Sequence, residues 1–141
     1  MRITAGRVAV VVAFIVALVM AASALAQQPW DSVKLKWTAP GDDGTSGRAS
    51  QYDLRYATAP ITAANFSTAT RFTSITTPSL AGATDSCTIT GLTPSTTYWF
   101  AIKTADEVPN WSTVSNIVTV TLPAAPDVSP PAAVLDFRVA P

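Results

Sequence analysis

The segment Gly91–Ser112, GLTPSTTYWFAIKTADEVPNWS, decides how this chain is read. Within it a turn marked by Gly and Pro runs into an alternating stretch and then into an acidic loop. Tyr98, Phe100, Ile102 and Thr104 alternate with Trp99, Ala101, Lys103 and Ala105. A period of two belongs to a β-strand, so the first set shares one face, and its large apolar members turn that face inward. Leu92, Pro94 and Tyr98 stand at the spacing of a tyrosine corner. There a Tyr near a strand start turns its hydroxyl back to the backbone a few residues upstream, which gives a buried phenol the partner it needs.

Outward from this segment the alternation recurs. In VKLKW, Val33, Leu35 and Trp37 alternate with Lys34 and Lys36, the pattern of a half-buried strand. TAPGDDGTSGRAS, residues 38–50, is dense in Gly, Asp, Pro and Ser and reads as a loop. QYDLRYA places Tyr52, Leu54 and Tyr56 on one face and Asp53 and Arg55 on the other, which is expected to be solvated. Between Thr58 and Asp85 the pattern weakens to a turn anchored by Ile61 and Phe66, a strand in TATRFTSI and a loop. SCTITGL restores the alternation with Cys87 and Ile89, and WSTVSNIVTVTL, residues 111–122, supplies the last strand. Cys87 is expected to serve as a small buried hydrophobe, since no Lys or Arg stands near it in sequence to activate a thiolate.

The run L-T-P-x-x-x-Y-x-F-x-I-x-x-x-D followed by N-W-S resembles fibronectin type III domains, most of all those of bacterial secreted proteins. The resemblance covers Val33 to Leu122. It implies an all-β fold: an immunoglobulin-like β-sandwich of two antiparallel sheets joined as a Greek key. It also implies that Trp37 is the core tryptophan over which the sheets close. The expected core is Trp37, Tyr52, Leu54, Tyr56, Ile89, Leu92, Pro94, Tyr98, Phe100 and Ile102.

Met1 to Ala26 carries Arg2 and Arg7, an apolar run from Val8 to Ala22, and small residues before a break after Ala26. These are the parts of a secretory signal peptide, with a retained anchor as the competing reading of a run shorter than the ~20 residues that span a bilayer. Its removal leaves seven basic against nine acidic residues. Localisation is therefore expected to be extracellular or at the cell envelope. The chain of 141 residues has no net formal charge, no His and one Cys. That inventory excludes Ser-His-Asp and Cys-His catalysis, His-containing zinc sites and intrachain disulfides, and it offers no basic patch for nucleic acid.

The family's first (A) strand is apparently missing, because only Gln27 to Ser32 precede Val33 in the mature chain. After Leu122 come a Pro/Ala-rich linker, residues 123–131, and then AAVLDFRVAP, residues 132–141, which resembles the opening strand of a following domain of the same type. Three readings stay open. The chain is a piece of a longer secreted protein with tandem domains; the tail projects as a linker; or the tail is a donated first strand. In the third, head-to-tail self-association runs through Val134 or Leu135, Phe137 and Val139, because a nine-residue linker reaches only ~30 Å back along its own sandwich.

Chemistry-bearing groups are few. Asp42, Asp43, Asp106 and Glu107 fall on loops that the resemblance places at one pole, with Asp85 near them, as weak candidates for a hard cation such as calcium. Their spacing is not that of an EF-hand, and no cofactor is implied. Trp99 and Trp111 are the outward aromatics that could stack on sugar rings, while Trp30 flanks the sandwich end. WSTVS resembles the tryptophan-and-serine motif of cytokine receptor domains, with Val114 in place of the second Trp. Asn65-Phe66-Ser67 and Asn110-Trp111-Ser112 match the glycosylation sequon and are expected to stay bare. The chain is thus expected to be a non-catalytic exported module, a spacer or protein-interaction element at the cell surface. The alternative is a carbohydrate-binding accessory of a secreted hydrolase.

Overall fold

A computed structural model of the chain describes residues 30–139. The expected signal peptide and its cleavage site after Ala26 lie outside them. Strands β1 (Val33–Thr38) and β4 (Thr84–Ile89) pair antiparallel into one sheet, with Val33 opposite Ile89 and Thr38 opposite Thr84. The second sheet holds β2 (Gln51–Ala57), β3 (Thr70–Phe72), β5 (Thr97–Ala105) and β6 (Val118–Thr121) in the order β3-β2-β5-β6, every neighbour antiparallel. The chain crosses from the first sheet to the second after β1, returns to lie beside β1 as β4, and crosses again into β5. This is the expected all-β sandwich with Greek-key connections.

The register explains the core. Leu54 lies opposite Ile102 and Tyr56 opposite Phe100, so the inward sets of β2 and β5 share one face. Val33, Leu54, Ile89, Leu92, Tyr98, Phe100 and Leu122 form the main buried cluster, against which Leu35, Tyr56, Ile102 and Cys87 pack half-buried. Tyr52 is buried as well, and Pro94 is half-buried. The corner forms as its spacing predicts: the Thr93 N–H donates to the Tyr98 hydroxyl at 3.0 Å. Gly91, at φ 73°, makes the turn out of β4 in a conformation that costs glycine nothing.

Three expectations are corrected. Trp37 lies outside the main cluster: it is half-buried at the end of β1 and meets the second sheet at that edge, with its ring edge-on to Tyr52 at 5.2 Å. Among the described residues β1 has a strand partner on one side only. The outer face of the second sheet is not solvated. The excursion between β2 and β3 folds over it, burying Ile61, Phe66 and Ala101 in a second cluster with Trp99, Ala57, Ala69 and Val114. Asp53 is buried there beside Arg55, at 3.0 Å, and Arg71, at 3.3 Å. Arg55 and Lys103 stand over the Phe66 ring at 5.3 and 5.2 Å. Buried charge is tolerated where it is paired, and a ring face attracts cations. Last, the strand expected over 111–122 is regular only at Val118–Thr121.

The first half of that stretch attaches to β5 in another way. The Ser112 N–H donates to the Thr104 carbonyl at 2.9 Å and the Ser115 N–H to the Ile102 carbonyl at 3.0 Å. In return the Thr104 and Ile102 N–H groups donate to the Ser112 and Ser115 hydroxyls, each at 3.1 Å. Two serines three apart thus satisfy the edge of β5 with their side chains where a neighbouring strand would use its carbonyls. Beyond Leu122 the chain has no strand, and Val134, Leu135, Phe137 and Val139 are 72–95% exposed. The tail does not lie in the first-strand position of its own sandwich.

Candidate functional site

The loop after β1 folds on itself to build one pole. The Gly41 N–H donates to the Gly44 carbonyl at 2.9 Å and the Asp42 N–H to the Ser46 carbonyl at 2.8 Å. A Cβ on Gly41 would strike the Ser46 backbone, so only glycine closes this loop. The closure carries Asp42 to Glu107, Asp43 and Asp106. Burial pushes the Asp42 carboxyl above its ordinary value, and a shared hydrogen with Glu107 and the neighbouring negative charges add to the rise. Asp106 is held below the ordinary value by the Asn110 N–H at 2.8 Å, the Asn110 amide at 2.6 Å and the Val108 N–H at 3.0 Å.

The four weak cation candidates therefore do share a pole. Yet among the described residues no three acidic or thiol groups stand close enough to hold a metal ion. Asp106 spends its oxygens on its own loop. Asp85 is not among the charges that act on Asp42, because it is engaged elsewhere. The Tyr52 hydroxyl donates to Asp85 Oδ2 at 2.8 Å, and the Ser79 N–H donates to the same oxygen at 3.0 Å. Burial raises the Asp85 carboxyl, but the Ser79 and Tyr52 hydrogen bonds and the Arg48 charge outweigh it and hold the group below its ordinary value. Tyr52, desolvated and facing that carboxylate, is pushed up to about 12. This buried pair joins the two sheets, and sequence reasoning missed it: Tyr52 looked like one member of an alternating strand, and Asp85 like a carboxylate near the acidic pole.

The aromatic candidates separate. Trp99 packs in the second cluster with Phe66 and Val114 and is not free to stack on a ligand. Trp111 is 42% exposed, and a shallow groove of about 350 Å³ beside it is lined by Asp42, Asp106 and Asn110. Both sequon amides are occupied. The Asn65 side chain accepts from the Thr62 N–H and donates to the Pro60 carbonyl, and the Asn110 side chain donates to Asp106.

Among the described residues a seam lies between β1 and the 112–118 stretch. A groove of about 500 Å³ runs there over Lys36, Trp37, Ile102 and Val114, and a smaller hollow of about 120 Å³ beside it is floored by Leu35, Phe100 and Val118. The Trp37 indole N–H is buried without a hydrogen-bond acceptor. The neighbouring Tyr52 hydroxyl donates to Asp85 and turns a lone pair toward the indole without reaching full hydrogen-bond geometry.

No curated protein matches the chain. One protein-family model does, that of the purple acid phosphatase N-terminal domain, over residues 22–119. That family is a β-sandwich module of the fibronectin type III-like kind and is non-catalytic. The fold expected from the Gly91–Ser112 segment therefore stands, while the narrower resemblance to bacterial secreted domains gives way to a different family. With the match running over most of its length, the chain belongs to the family of purple acid phosphatase N-terminal domains.

Proposed function

We propose that this chain is a non-catalytic, exported module that serves as a spacer or protein-interaction element at the cell surface or outside the cell. Membership in a family that is itself a non-catalytic β-sandwich carries this reading. The residue inventory agrees with it: without His and with one half-buried Cys, the chain lacks the common nucleophile and base pairs. Burial also raises the Cys87 thiol, which disfavours the reactive thiolate. The Arg2 and Arg7 flank and the apolar run to Ala22 support export. By the family's name, the natural neighbour of such a module is a phosphatase body that follows it in the chain.

Two measurements test this. Purified chain should release no phosphate from p-nitrophenyl phosphate, and turnover that disappears in Asp106→Asn would overturn the non-catalytic reading. The chain recovered from the medium or envelope should begin at Gln27, whereas retention of Met1 would overturn export. A second reading, a carbohydrate-binding accessory, is favoured only by the exposure of Trp111. Depletion of the chain on insoluble polysaccharide, lost in Trp111→Ala, would establish it in place of the spacer.

A further inference from the structure

The seam between β1 and the 112–118 stretch has the outline of a missing strand. Its floor is apolar, at Leu35, Trp37, Ile102 and Val118. Its rim is the side of β1 that has no strand partner among the described residues. Ile117 and Val118 stand 37 and 40% exposed beside it. The far side of β4 differs, because the stretch before that strand covers it: Pro78 is fully buried, Ile75 packs on the main cluster and Ser79 bonds to Asp85. Among the described residues the uncovered strand edge of this sheet is thus the β1 side.

The same chain displays a segment of complementary form. Leu135, Phe137 and Val139 recur at every second position with Asp136 and Arg138 between them, the pattern of a strand with one buried face. Yet the three apolar side chains are 93–95% exposed. Laid along β1, the segment would place Asp136 beside the exposed Lys34 or Lys36, an opposite-charge pair across the strands. The intervening linker holds Pro123, Pro126, Pro130 and Pro131, which favour an extended, semi-rigid course that carries the segment away from its own sandwich.

We infer that the open seam accepts, as an added strand along β1, the segment 132–139 of a second copy of this chain. Leu135, Phe137 and Val139 cover the apolar floor, and the added backbone supplies hydrogen-bond partners to the free side of β1. Because donor and acceptor are different surfaces, the contact is head-to-tail and extends from copy to copy unless it closes into a ring. The inference does not depend on export, so a failure of either leaves the other standing.

The test is complementation between two variants of the whole chain, followed by light scattering. Phe137→Asp removes the donor and Val118→Glu blocks the acceptor; both positions are exposed, and matched thermal melts of the variants confirm that they fold. The wild-type chain should show an average mass that rises with concentration. Each variant alone should stay monomeric, and an equimolar mixture should form a dimer with one contact. A peptide of residues 132–139 should bind the Phe137→Asp chain saturably and shift its Trp emission, and should not bind Val118→Glu. A wild-type chain that is monomeric at every concentration overturns the inference, and so does association that survives in both variants. A monomer whose Trp emission changes on Phe137→Asp would mean that each tail closes its own seam, which also overturns donation to a second copy.

Discussion

Two hydroxyls hold this sandwich together more than their small size suggests. Tyr98 is buried, and its oxygen accepts the Thr93 N–H, so Tyr98→Phe should cost ~1 kcal/mol with the ring packing kept, read as a lower denaturant midpoint. Tyr52 and Asp85 make stability depend on pH at both ends. Asp85 has a folded-state pKa below the ~3.9 of an unfolded Asp, so its contribution is present above that value and lost as pH falls through the folded value. Asp85→Asn should therefore melt lower at neutral pH and lose part of the acid-limb slope. Tyr52 is displaced upward, to about 12. Its contribution is complete below the unfolded value of ~10 and lost as pH rises through the folded one. Absorbance of the phenolate should show a step at about 12 that is missing in Tyr52→Phe. The corner could be read in advance because Leu92, Pro94 and Tyr98 are local in sequence. The Tyr52–Asp85 bond could not, because it joins residues 33 apart whose meeting depends on how the sheets cross.

Two elements depart from simple strands, and each has a measurable consequence. Ser112 and Ser115 accept the Thr104 and Ile102 N–H groups, so the double change to Ala should cost ~1–3 kcal/mol and speed amide exchange at those two positions. If exchange there is unchanged, the serine contacts are not what holds the edge of β5. The excursion over the second sheet rests on Phe66, which is buried and receives Arg55 and Lys103 on its ring. Phe66→Ala should cost ~3–5 kcal/mol, well beyond what a surface turn would lose, and a cost under ~1 kcal/mol would mean the second cluster contributes little. The anchors Ile61 and Phe66 were visible in the sequence, but the face they cover was not. Asp53 and Arg55 carry charges on that face, and only their pairing with each other and Arg71 lets it be buried. The alternation of β1, β2 and β5 was legible for the same reason as the main core: period two is a local property, while cover for the second face comes from elsewhere in the chain.

At the scale of the whole molecule, the described residues form a sandwich with one strand edge uncovered. Its main cluster spans both sheets, and the seam exposes apolar floor along the β1 edge that has no strand partner among the described residues. A spacer needs only the closed part of this structure, while an interaction module uses the open part. Residue-by-residue amide hydrogen exchange, at low and at high chain concentration, tests the open seam most directly. In dilute chain the amides of β2 and β5 should exchange most slowly, while the β1 amides turned away from β4 should exchange as quickly as loop amides; at high concentration these same β1 amides should become protected. Uniformly slow exchange along both sides of β1 in the dilute chain would show that a strand already fills the seam, and would contradict the account.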